Sequence, residues 1–162
     1  MEFNPIEKIP ELTKMLQAYN PIIHSKSDDG YDWLEEDSFC IEIPNPYGGD
    51  SITIECEDCG EFTVGFSYFH SHYFAYDYGY SNMCDELSSL LNNKCCSAAI
   101  FCGNENEWLG STFVEKEKLS LPIEETFSFV FEHNERKEKL RTNGGEVRFD
   151  FWDSNLSKTI KL

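Results

Sequence analysis

Three successive segments of this chain alternate apolar and polar residues, and that pattern limits the fold more than any other feature. Phe39, Ile41 and Ile43 point one way with Cys40 and Glu42 opposed, until Pro44-Asn45-Pro46 stops the run. Ile52, Ile54 and Cys56 alternate with Ser51, Thr53 and Glu55, and Phe62, Val64, Phe66 and Tyr68 alternate with Thr63, Gly65 and Ser67. A period of two divides side chains between the two faces of a strand, so each segment has an apolar and a polar side. The short links favour an antiparallel meander, with Glu57-Asp58-Cys59-Gly60 as a hairpin turn.

Helical spacing flanks the meander. Leu12, Met15, Leu16 and Tyr19 fall at i, i+3, i+4 and i+7 between Pro10 and Pro21, which predicts a helix over roughly 9–19. Met83, Leu87, Leu90 and Leu91 share a face, Ser81 or Asn82 can cap its start, and Asn92-Asn93 can end it, so a second helix is expected over roughly 82–92. Strands return at Cys95–Cys102 and Trp108–Val114. Phe127, Phe129 and Phe131 alternate again, as do Val147, Phe149 and Phe151 after the turn Asn143-Gly144-Gly145, and Lys158–Leu162 can add an edge strand. The order predicts a single α+β domain over residues 1–162, a mostly antiparallel sheet with two helices packed on one face.

With 162 residues, 40% of them hydrophobic and 15% aromatic, the chain has enough apolar surface for a core and is not wholly disordered. The formal net charge is −17. A general nucleic-acid binder or a protein of anionic membrane surfaces needs the opposite sign, so both classes are excluded as expectations. The first dozen residues show no basic stretch followed by an apolar one, and no apolar run approaches the roughly 20 residues of a membrane span. A cytoplasmic location is the resulting expectation. Seven cysteines are then free, small core residues rather than a disulfide framework.

The charge is concentrated. Asp28 to Glu107 holds seventeen acidic residues and one basic residue, Lys94, a net −16. Its densest part, Asp28, Asp29, Asp32, Glu35, Glu36 and Asp37, also contains Tyr31 and Trp33. Such a run either keeps a loop solvated or forms a one-signed surface that steers a basic partner. Tyr68 to Tyr80 adds seven aromatics: Tyr68, Phe69, Tyr73, Phe74, Tyr76, Tyr78 and Tyr80. Tyrosine joins a rigid contact area to a polar tip and suits recognition of Lys and Arg, although half of such a cluster can serve the core instead.

Specific chemistry is sparse. Cys56-Glu57-Asp58-Cys59-Gly60 has the C-x-x-C-G form of a zinc knuckle, but a second C-x-x-C is missing. His70, His72, Cys84, Cys95, Cys96 or Cys102 would have to complete the ligand set. His70-Ser71-His72 places two imidazoles on one face of a strand, and strand parity puts that face with Phe66 and Tyr68. With Asp77 these histidines form a set able to hold a metal or do acid–base chemistry, or they simply satisfy polar groups at a sheet end. There is no H-E-x-x-H, G-x-S-x-G or P-loop. No catalytic residue, metal ligand or cofactor is assigned from the sequence, and an enzyme is not expected.

Three stretches together resemble the small acidic bacterial proteins that act as immunity proteins in polymorphic-toxin systems. They are Glu61–Phe74 leading into Cys84–Leu91, the segment Glu107-Trp108-Leu109-Gly110-Ser111, and Phe151-Trp152-Asp153 followed by Asn155-Leu156-Ser157-Lys158. The resemblance is one of order and spacing. It implies a cytoplasmic, non-enzymatic antidote that occludes a basic toxin, often a nuclease, and it carries over no functional residue. The reading of the residues themselves is a protein-binding module whose contact surface is Asp28, Asp29, Asp32, Trp33, Glu35, Glu36, Asp37, His70, His72, Tyr73, Tyr76 and Tyr78. The alternative is a zinc-stabilised domain built on the C-x-x-C-G turn.

Overall fold

The computed structural model describes residues 4–57, 59–76 and 78–162 and has the α+β class expected from the sequence, with every strand pairing antiparallel. The chain divides into two compact units, residues 1–88 and 89–162. The strands therefore form two sheets, one in each unit.

The first unit contains a five-stranded sheet in sequence order: β1 (Ile22–Ser25), β2 (Phe39–Ile43), β3 (Ile52–Glu57), β4 (Glu61–Phe66) and β5 (Phe69–Phe74). The alternation of the sequence fixes its two faces. On one, Ile41 pairs with Ile54, Ile43 with Ile52, Ile54 with Val64, and Cys56 with Phe62, and all of these are buried. Two helices cover this face. α1 (Ile9–Met15) buries Leu12, and α2 (Gly79–Leu91) buries Met83 and Leu87. Tyr80 of α2 packs its ring 5.8 Å from that of Phe62, and the Lys8 ammonium sits 4.6 Å above Tyr80. The opposite face carries the polar half of the alternation.

One expectation fails at the link between β4 and β5. The strand does not run on through Tyr68. Ser67, with φ at +52°, and Tyr68 form a two-residue turn that pairs Phe66 with Phe69. The turn resets the parity, so His70 lies opposite Gly65 and His72 opposite Thr63, on the polar face and not with Phe66.

The second unit is a four-stranded sheet ordered β7-β6-β8-β9, from β6 (Cys95–Cys102), β7 (Glu107–Glu115), β8 (Gly145–Asp150) and β9 (Lys158–Lys161). Its core joins Cys96, Ala98, Ile100, Val147 and Phe149 to Phe127, Val130 and Leu140. Here the expected strand over Phe127, Phe129 and Phe131 is instead helical, as α3 (Ile123–Thr126) and α4 (Ser128–Phe131). The buried positions Phe127 and Val130, with Ile123 and Phe131 packed against them, recur at three to four residues, and this period outweighs the alternation of the three phenylalanines. α5 (Asn134–Asn143) completes the unit.

Candidate functional site

The polar face of the five-stranded sheet holds a groove of about 720 Å³, floored by Thr53, Glu55, Thr63 and Gly65 and walled by His70 and His72. Asp50 and Glu57 also line it, and none of the described lining residues is Lys or Arg. Each of these side chains is presented by strand register: Thr53 opposes Gly65, Glu55 opposes Thr63, and Thr63 opposes His72. Gly65 keeps the floor open, because a Cβ there would lie 2.8 Å from Thr53 Oγ1.

Two histidine–carboxylate pairs mark the two sides of this face. On β1 and β2, His24 Nε2 lies 3.0 Å from Glu42 Oε2, which also accepts from the Tyr31 hydroxyl at 3.1 Å. Ser51 donates to Glu42 Oε1 at 2.8 Å. The Ser51 bond and the His24 contact hold the Glu42 carboxyl below its ordinary value. Burial and Glu42 push the Tyr31 phenol up to about 12. On β4 and β5, His72 Nδ1 bonds Glu61 and lies 3.3 Å from Thr63 Oγ1. The His70 and His72 rings meet edge to face at 5.0 Å.

Between the two pairs, the Glu55 carboxyl is pushed up, first by burial and then by the charges of Glu57 and Glu61, with His72 opposing the shift. The groove is therefore a site where negative charges crowd one another, and a cation entering it would be stabilised.

The sequence-derived residues fall on opposite edges of the sheet. Asp28, Asp29, Asp32, Trp33, Glu35, Glu36 and Asp37 lie in the connection from β1 to β2 and are exposed. That loop is built rather than slack. Asp28 accepts the Ser25 N–H at 2.6 Å, Leu34 is buried, Glu36 pairs with Lys26 at 3.0 Å, and Tyr31 stacks on His24 at 3.9 Å. Trp33 donates its indole N–H to the Gly30 carbonyl and remains 54% exposed. At the other edge, Tyr76 is 54% and Tyr78 77% exposed, and Phe74 stacks on Tyr76 at 5.5 Å. Four strand spacings, about 19 Å, separate β1 from β5. Tyr73 belongs to neither group. It shares the helix-covered face with Phe62 and hydrogen-bonds Glu86 of α2.

The C-x-x-C-G turn does not assemble as a thiolate pair. Cys56 is fully buried beside Phe62, and its thiol is pushed up to about 12 by burial. Cys59 is exposed and donates its S–H to Glu57 at 3.2 Å. The donor atoms that do converge are those of Glu57, Cys59 and Glu61, all within 4.8 Å of one another. Asp58 and Asp77 lie outside the described residues. Sequence reasoning missed Asp50, Glu55, Glu57 and Glu61 as a set. The signal was present in the polar positions of the alternating segments, which the register brings side by side.

No family model, no curated protein and no solved structure matches this chain. No helix among the described residues is long and apolar enough to cross a membrane.

Proposed function

We propose that this chain is a protein-binding inhibitor that occludes a basic partner, in the manner of an immunity protein on its toxin. The observation that carries the reading is the polar face of the first sheet, where Asp50, Glu55 and Glu57 line a groove that has no lysine or arginine among its described lining residues. Around it stand exposed aromatics, Trp33 at one edge and Phe74, Tyr76 and Tyr78 at the other. A partner laid across the roughly 19 Å between them would set Lys and Arg over the carboxylates and apolar area over the rings. Complementary potential of this kind raises the association rate, and buried aromatic anchors slow dissociation. The mechanism is occlusion and needs no reaction at the face.

The test is a pull-down from the native host's lysate at low and at high salt, repeated with Glu57→Lys/Glu61→Lys, with the retained proteins identified. One basic protein retained at low salt, released at high salt and lost with the double variant supports the reading. Retention of no basic protein, or equal retention by the double variant, overturns it.

A further inference from the structure

Among the described sheet edges, β5 is the one longer than four residues that carries no proline, lysine or bulge. Free edges invite another strand, and proteins blunt them with shortness, proline, lysine or a bulge. β1, at the far edge of the same sheet, is only four residues long and follows Pro21 directly. β9 carries Lys158 and Lys161, and the pairing of β7 is broken by a register shift. β5 has six residues, FHSHYF, with no lysine or proline, and pairs with β4 in unbroken register.

The register also states which backbone groups face outward. A two-residue turn closes on a hydrogen-bonded pair, here Phe66 with Phe69, and bonded and non-bonded pairs then alternate. Phe69, Ser71 and Tyr73 therefore direct N–H and C=O toward β4, whereas His70 and His72 direct theirs away from the sheet. The run ends beyond His72, because the start of α2 packs on Phe74. A Cβ at Gly79 would lie 1.9 Å from the Phe74 carbonyl oxygen. Two residues thus offer four backbone groups, and their side chains point into the acidic groove.

We infer that the basic partner docks by strand addition. An extended segment with Lys or Arg at alternate positions pairs with the His70–His72 edge and places its basic side chains over Glu55, Glu57 and Glu61. This rests on the proposed function and adds the binding mode. Main-chain bonds supply affinity and alternate side chains supply specificity. A second copy of this chain is the poorer occupant, since each copy carries a net charge of −17.

The probe is the peptide Thr-Lys-Val-Lys-Val-Lys-Thr, capped at both ends, with the full chain at low salt. Two N-methylated analogues accompany it, one methylated on odd and one on even backbone nitrogens. Strand addition predicts that one analogue binds at least tenfold more weakly while the other binds like the parent, because only one set of N–H groups faces β5. It also predicts that bound peptide slows amide exchange at His70 and His72 at least tenfold but leaves Ser71 and Tyr73 unchanged. Equal binding by all three peptides, with exchange unaltered, overturns strand addition and leaves the acidic face as a side-chain docking surface. Failure of the parent peptide to bind also overturns it, and the lysate experiment then decides the proposed function separately. Concentration-dependent protection of His70 and His72 without peptide overturns it in favour of a second copy.

Discussion

Glu86→Gln tests how α2 is seated on the sheet that carries the groove. The side chain reaches Ser71 and Tyr73 on the helix-covered side of β5, and their hydrogen bonds favour its ionised form. Burial acts more strongly and pushes the carboxyl above its ordinary 4.5. One oxygen, Oε1, is buried with no hydrogen-bond partner among the described residues. A buried polar group left unsatisfied costs about 1–3 kcal/mol, more when charged. Glutamine keeps an acceptor for the two hydroxyls, removes the charge and leaves a neutral amide in the unsatisfied position, for a net gain of about 1 kcal/mol at pH 7. Because the folded carboxyl titrates above the unfolded one, the folded state binds more protons between the two values. The wild-type chain is therefore most favoured below the unfolded value of about 4.5 and loses stability as pH rises through the folded value. Urea midpoints of both proteins at pH 7 and pH 4 read this directly. The variant is expected to be more stable at pH 7 and equal at pH 4. A variant less stable at pH 7, or an advantage that persists into acid, refutes the burial argument.

Two further outcomes follow from close contacts. In Gly110→Ala the new Cβ would meet Phe129 Cε2 at 2.6 Å and Val130 Cγ2 at 2.9 Å. Phe129 is 37% exposed and can swing aside, but Val130 is fully buried. A loss of about 1–3 kcal/mol is expected by urea denaturation, partly recovered in Gly110→Ala/Phe129→Ala. An unchanged midpoint would mean that α4 does not pack on Gly110. Cys59 is the only exposed cysteine among the described residues, and its hydrogen bond to Glu57 pushes the thiol up. Iodoacetamide at pH 8 is expected to label it slowly in the folded chain and faster in Glu57→Gln, because the thiolate is the nucleophile. Equal rates would count against the Glu57 contact.

The apolar half of the fold was legible because burial writes itself into sequence period. Ile52, Ile54 and Cys56, or Phe62, Val64 and Phe66, need no tertiary information to be assigned to one face. Three kinds of element escaped. β1 is four residues beside a proline, too short for a period to show. α5 has one buried residue, Leu140, in the run NERKEKLRTN, so it carries no apolar stripe. The helical segment at Phe127–Phe131 carries aromatics two apart that imitate a strand. The site was half legible for a related reason. Charge density marked the loop Asp28–Asp37 and composition marked the tyrosines, but both are local signals and fall on opposite edges. The groove between them is a property of pairing, visible only once Glu55 is set beside Thr63 and His70 beside Gly65.

Pairing also supports the proposal that a basic partner occupies this face. Glu57 and Glu61 stand directly opposite each other across β3 and β4, and like charges in that position destabilise a sheet by roughly 0.2–1 kcal/mol. Glu55 lies two residues before Glu57 on the same side, and its carboxyl is raised first by burial and further by the charges of both. Relief within the chain is partial. His72 bonds Glu61, and the Cys59 thiol donates to Glu57, but neither the described groove lining nor the face of β5 supplies a lysine or arginine. The fold therefore holds carboxylates together at a small cost in its own stability. A cation from outside would remove that cost as it binds, so relief of this repulsion would add to the binding of the proposed basic partner. A sheet optimised for stability alone would place a lysine at position 57 or 61.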